Sequence, residues 1–254
     1  MNILAKKENK LFFILGGFFI ANAIIAEFIG VKIFSLERSV GLEPFLYSIF
    51  GEQMSFNLTA GVLLWPVVFV MTDIINEYFG IKGVRFLSYL ASALIAYAFL
   101  MVFAAIHLAP ADWWPASVKD AGVPNFQLAF AKVFGQGLWI IIGSLVAFLV
   151  GQFIDVYVFH KLKKITGEKS LWLRATGSTL ISQFIDSFVV LVIAFKLGAN
   201  WSWALVLAVG FNNYIYKFVV AVLLTPLIYL GHTLIEKYLG TQLAEKLKNE
   251  AAKD

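Results

Sequence analysis

The chain has 254 residues, 60% of them hydrophobic and 14% charged, with 20 Lys+Arg against 16 Asp+Glu. Its mean hydropathy is +0.82. Charge at about half the usual ~25%, with apolar runs reaching the roughly 20 residues that cross a bilayer, excludes a water-soluble enzyme. The expected class is all-α: one polytopic membrane domain over 1–254, with six transmembrane helices. Cysteine is absent, which excludes disulfides, Cys–zinc sites, iron–sulfur clusters on Cys and thiol nucleophiles. His107, His160 and His232 lack metal-ligand spacing, so neither metal nor cofactor is expected.

The first span is expected at 11–34. Lys6, Lys7 and Lys10 precede it, and Ala21-Asn22-Ala23 imitates a signal-peptide cleavage site. The apolar run continues through Ile24, Ile25 and Phe28, so the segment reads as a retained helix. Asn22 lies deep in it, and Glu27 reads as a residue of the outer boundary. The loop at 36–56 has no assigned role.

The second span, 58–79, ends in Thr72-Asp73-Ile74-Ile75-Asn76-Glu77-Tyr78-Phe79-Gly80. Asp73, Asn76 and Glu77 share one helix face. Two carboxylates one turn apart repel unless protonated or bridged by donors. That suits a donor-rich ligand or a proton; the plainer reading is a wet helix end steadied by Lys82 and Arg85. The third span, 86–109, offers Ser88, Ser92 and Tyr97 and reads as scaffold. A polar segment with Pro110, Trp113, Trp114, Pro115 and Pro124 follows, and Trp suits the lipid–water boundary.

The fourth span, 134–159, carries Gly143, Ala147 and Gly151 at four-residue spacing. This stripe lets a helix approach closely, either in a homodimer or from the same chain. Gln152 and Asp155 follow, and Arg174 is a candidate partner for Asp155. In the fifth span, 173–196, Ser178, Ser182 and Asp186 recur every four residues beside Thr179, Gln183 and Ser187. No lipid-facing surface has that composition. Asp186 stands 12 residues past Arg174, roughly 18 Å deep at 1.5 Å per residue. The sixth span, 203–232, holds Asn212, Asn213 and Lys217, with Pro226 marking a kink. Lys217 falls near the depth of Asp186, so the two form either a structural ion pair or one that parts when a ligand arrives. Gln-Phe-Ile-Asp occurs at 152–155 and 183–186, which in antiparallel spans would be an inverted repeat.

With the N-terminus in the cytoplasm, 14 Lys and Arg fall on inner segments and 5 (Lys32, Arg38, Lys119, Lys132, Lys196) on outer ones. The positive-inside rule then puts both termini inside. The excess charge is a topology signal, so nucleic acid is not an expected partner. No Gly-rich phosphate loop opens a helix, and no aspartyl-protease motif or Ser/His couple is present, so the chain is not expected to be an enzyme. Acids and amides between aromatics suit a flat polar solute with several N–H donors, such as a purine-like base, and leave other small solutes open.

The stretch Thr72–Gly80 with Lys82 and Arg85 resembles the hallmark of the queuosine-precursor transporter family, earlier described as vitamin uptake transporters. Gly151-Gln152-x-x-Asp155-Val156-x-Val158-Phe159, Arg174 with Ser178, Thr179 and Asp186, and Tyr216-Lys217 with Thr225-Pro226 are similar to its other motifs. The resemblance covers about 11–235. It implies six-helix proteins of the bacterial inner membrane that import 7-deazaguanine bases, cyano- or aminomethyl-substituted. It maps family site positions onto Asn22, Asp73, Glu77, Gln152, Asp155, Asp186 and Lys217. The full expected set of solute-binding residues adds Asn76, Gln183 and Asn213. The implied partners are the deazaguanine base and membrane lipid. Two rivals stay open: the substrate-binding subunit of an energy-coupling-factor importer, which needs ATPase partners, and a membrane scaffold protein without ligand.

Overall fold

The computed structural model describes residues 5–166 and 171–252. Lys169 and Lys253, two of the inner charges counted above, lie outside that range. In chain order the helices are α1 (Lys7–Ile29), the short α2 (Leu36–Ser39), α3 (Trp65–His107), α4 (Phe126–Phe134), α5 (Leu138–Thr166), α6 (Leu171–Leu191), α7 (Trp203–Leu239) and α8 (Thr241–Ala251). A π-helical stretch, Val192–Leu197, extends α6. Four three-residue strands, β1 (Ile33–Ser35), β2 (Tyr47–Ile49), β3 (Glu52–Met54) and β4 (Asn57–Thr59), pair antiparallel as β1–β4 and β2–β3. The fold is therefore helical with two small β-ribbons, which the all-α expectation did not include.

Five helical segments among the described residues are long and apolar enough to cross a membrane: Lys7–Ile29, Ala60–His107, Phe126–Thr166, Trp172–Leu197 and Trp203–Leu239. Large apolar side chains such as Phe13, Phe18, Leu100, Phe103, Leu223 and Leu230 stand exposed on them. A water-soluble monomer does not display so much contiguous oil; lipid is the solvent for this surface. The chain is a multi-pass membrane protein.

The longest segment is two arms. Gly80 sits at φ 67°, ψ −172°, a conformation open only to glycine. Thr72 and Ser88 both reach Gln152 Oε1, at 2.9 and 3.5 Å. Sixteen residues of straight helix would hold them roughly 24 Å apart, so the chain doubles back at Gly80. The expected boundaries shift elsewhere. The first helix stops at Ile29 rather than 34, because Ile33–Ser35 is drawn into the β1–β4 ribbon. The fourth segment is broken at 135–137 between α4 and α5.

Phe19 of α1, Val68, Met71, Ile75 and Leu87 from both arms of α3, and Phe148 of α5 form the central core. Leu11, Tyr78, Ile235, Leu239 and Ala244 form a second cluster. That cluster gathers the start of α1, the Gly80 turn, the end of α7 and α8 at one end of the bundle. Lys7 Nζ donates to the Tyr238 carbonyl there at 2.9 Å. The ribbons cap the opposite end.

The small-residue stripe of α5 packs on α6. A Cβ on Gly143 would lie 3.2 Å from Ala194 Cβ and from the Val190 carbonyl, and one on Gly151 would meet Asp186 Cβ at 3.5 Å. Of the two uses the spacing left open, the neighbouring helix of the same chain is the one present.

Candidate functional site

The polar residues of α3, α5, α6 and α7 converge in three layers along the bundle. Nearest the termini, Glu77 takes Arg174 at 3.1 Å on one carboxylate oxygen and Lys163 at 3.2 Å on the other. Arg174 also lies over the Phe159 ring, 5.7 Å from its centroid. Asn76, next to Glu77, holds His160 at 2.9 Å. Glu77 and Arg174 are each 1% exposed. Sequence spacing offered Lys82 and Arg85 as the cations for Glu77, and Arg174 for Asp155. The structure assigns Arg174 to Glu77 instead, because Arg174 begins α6 at the level where the first arm of α3 ends.

One turn further in, Asp73 accepts from the Thr179 hydroxyl at 3.3 Å and Asp155 from the Ser182 hydroxyl at 3.0 Å. The Ser178 hydroxyl also faces both carboxylates. Both acids are buried, and no ion pair to either occurs among the described residues. Asp73 Oδ1, Asp155 Oδ2, Gln152 Nε2 and Gln183 Oε1 are buried polar atoms without a hydrogen-bond partner there. Such atoms are rare in native interiors and call for an explanation.

The third layer is the Lys217–Asp186 pair, at 2.5 Å, joining α7 to α6. The depth estimate from sequence placed these two together, and the structure brings them into contact. Gly151 leaves room for Asp186 at this level. The two Gln-Phe-Ile-Asp segments thus meet in register. The residue before each Gln, Gly151 or Ser182, touches the Asp of the other segment.

A cleft opens onto these layers between α3, α6 and α7. Asp73, Thr176, Thr179, Gln183 and Lys217 supply its polar wall, and Pro66, Val70, Ala221, Leu224 and Ile228 its apolar wall. Its empty volume is about 350 Å³ including the rim, but the part open to a water's centre is about 20 Å³. That admits a single water, so a bicyclic solute enters only when the walls part. The apolar wall is aliphatic, whereas aromatic neighbours were expected.

The other expected site residues lie outside this wall. Asn22 turns its amide onto the Phe18 carbonyl of its own helix, at 2.8 Å. Asn213 is half-buried one turn before Lys217. Gln152 accepts from Thr72 behind Asp155. Three further polar groups lie outside the expected set of site residues. Thr176 lines the cleft and pairs with Thr225 at 2.9 Å. Glu27, read as a boundary residue, is buried and accepts from Ser144 at 3.0 Å. Asn212 binds Tyr47 of β2 and the Ser55 carbonyl, tying α7 to the ribbon segment. For Thr176 the signal was its place in the hydroxyl-rich face of the fifth span; for Glu27 and Asn212 no spacing revealed the partner.

A family model described as "Putative vitamin uptake transporter" matches residues 59–231, which include every cleft residue. The chain belongs to that family. Within the vitamin uptake transporter family it resembles a protein of Bacillus subtilis (strain 168) named "Probable queuosine precursor transporter", 32% identical over 72% of this chain and 76% of the relative. A Haemophilus influenzae protein of the same printed name is 27% identical over 68% of each chain. The Escherichia coli (strain K12) "Queuosine precursor transporter" is 27% identical over 56% of this chain and 57% of its own length. No solved structure matches. Membership makes the chain a transporter of a small molecule rather than an enzyme.

Proposed function

We propose that the chain imports a queuosine precursor, a cyano- or aminomethyl-7-deazaguanine, across a bacterial inner membrane. In this reading it crosses six times, counting the two arms around Gly80, with both termini in the cytoplasm. The names of its relatives support the substrate. Lys6, Lys7, Lys10, Lys82, Arg85 and Lys237 gather at the end of the bundle that holds α8, as the positive-inside rule asks of the cytoplasmic end.

The observation that carries the site is the pair of buried, unpartnered acceptors Asp73 Oδ1 and Gln183 Oε1, in one cleft with the Lys217 ammonium. The guanidine-type edge of a deazaguanine presents adjacent N–H donors, which a carboxylate accepts in a charge-assisted pair. Its ring carbonyl accepts from Lys217, which then leaves or shares Asp186. The aliphatic wall of Val70, Leu224 and Ile228 covers the ring face. Glu77 is held by two cations, so Asp73 is the acid of that helix face that reads the solute. The narrow cleft belongs to an occluded form, and alternating access supplies the opening.

Uptake of labelled 7-cyano-7-deazaguanine by cells unable to make it tests this reading. Asp73→Asn and Lys217→Ala each abolish import. Import untouched by both removes the site. Import by this chain without ATPase modules separates it from an energy-coupling-factor subunit, and ligand binding of any kind separates it from a scaffold.

A further inference from the structure

Asp73 and Asp155 come from different helices, α3 and α5, and meet across the hydroxyls of α6. Thr179 donates to Asp73, Ser182 to Asp155, and Ser178 lies against both. The donor supply is too small for two carboxylates. Each hydroxyl has one proton. Ser182 is also 3.0 Å from the Thr179 carbonyl, and Ser178 is 3.1 Å from the Ala175 carbonyl, so both have a competing acceptor. One oxygen of each acid, Asp73 Oδ1 and Asp155 Oδ2, has no partner although both side chains are at most 1% exposed.

The surrounding charges are committed elsewhere. On the inner side Glu77 holds Arg174 and Lys163, and Asn76 holds His160; on the outer side Asp186 holds Lys217. Two buried acids that share hydroxyls without a cation cannot both carry charge cheaply, because burial and like charge oppose ionisation together. A carboxylic acid supplies the missing donor itself. A proton also needs no coordination shell, and Asp155 is not among the residues that line the cleft.

We infer that Asp155 and Asp73 form a proton-binding site that couples transport to the proton gradient, with Asp155 holding the proton while Asp73 holds the solute. Asp73 lines the solute cleft and Asp155 lies behind it. When N–H donors of the solute approach Asp73, the O–H bond on Asp73 breaks, the proton passes along the Ser178 and Thr179 hydroxyls, and an O–H bond forms on Asp155. The solute then faces an anionic acceptor, and proton and solute travel together. This rests on the proposed import activity but identifies its driving ion.

Two measurements test it. Infrared difference spectra of the purified full chain, without solute, are expected to show a protonated-carboxyl C=O band at neutral pH that is lost or shifted in both Asp155→Asn and Asp73→Asn. A band that neither substitution alters, or no band, overturns the inference. In proteoliposomes with labelled 7-cyano-7-deazaguanine, the ratio of pH-gradient-driven accumulation to solute exchange is expected to fall at least tenfold in Asp155→Asn. A ratio equal to wild type, or wild-type accumulation driven by sodium and indifferent to the pH gradient, also overturns it. A wild-type chain that shows the band but exchanges no deazaguanine sinks the functional reading and leaves the proton site standing.

Discussion

Arg174 donates to Glu77 at 3.1 Å with both side chains sealed from solvent. Lys163 completes the anion's coordination from α5. The pair joins the first arm of α3 to α6 one turn nearer the termini than the layer that holds Asp73. Breaking a buried pair strands a charge and costs about 3–5 kcal/mol. Arg174→Ala is therefore expected to lower the melting temperature of the detergent-solubilised protein strongly. Glu77→Gln, which keeps shape and removes charge, leaves two cations facing an amide and is expected to destabilise as well. Unchanged melting in both variants would show the pair to be idle.

This pair also marks where the sequence stopped being legible. Counting residues along a helix gives depth, and depth was enough to join Asp186 to Lys217. It gives no direction around the bundle, so the partner of Glu77 was sought among nearby Lys82 and Arg85 rather than on α5 and α6. The partners of Glu27 and Asn212 were hidden the same way: Glu27 sits near the end of α1 and Asn212 nine residues into α7, yet each meets its partner, Ser144 or Tyr47, on another element. The spans were readable because each needs about 20 apolar residues. The ribbons were not, since three-residue strands carry too little pattern to detect.

The Lys217–Asp186 contact is expected to be functional rather than merely cohesive. Lys217→Ala and Asp186→Ala should each abolish uptake. The doubly neutral Asp186→Asn/Lys217→Gln protein, which removes the stranded charge, should regain thermal stability but not uptake. Recovered uptake in the double variant would make the pair structural only.

The glycines of the α5–α6–α7 packing are predicted to differ. At Gly210 an added methyl would meet Phe188 Cε1 at 2.5 Å, and at Gly143 it would meet backbone atoms of α6 at 3.2 Å. Overpacking of this kind costs about 1–3 kcal/mol, so Gly210→Ala and Gly143→Ala should lower the melting temperature. Gly151→Ala meets ordinary contact distances, 3.5 Å to Asp186 Cβ, and should be tolerated structurally. Equal losses at all three positions would refute the packing assignment.

The β-ribbons carry their own acid dependence. Burial alone would raise the Glu37 carboxyl, but the Phe56 amide and the Ser35 hydroxyl, both at 2.8 Å, hold it below its ordinary value of 4.5. A lowered folded value means that this group's stabilisation is complete above about pH 4.5 and is lost as pH falls through the folded value. Hydrogen exchange at the Phe56 amide should therefore accelerate on acidification beyond the intrinsic trend. Glu37→Gln should remove that excess; if the excess persists, another group governs the ribbon.

Asp73 as the acceptor that reads the solute is best tested by direct binding of 7-cyano-7-deazaguanine to purified protein, wild type against Asp73→Asn, by calorimetry. A hydrogen bond to a charged group is worth about 1.5–3 kcal/mol. The substitution is expected to weaken binding by roughly 10–150-fold while the protein melts no lower than wild type. Equal affinity in the two proteins would contradict the assignment of Asp73 and, with it, the cleft between α3, α6 and α7 as the place where the solute sits.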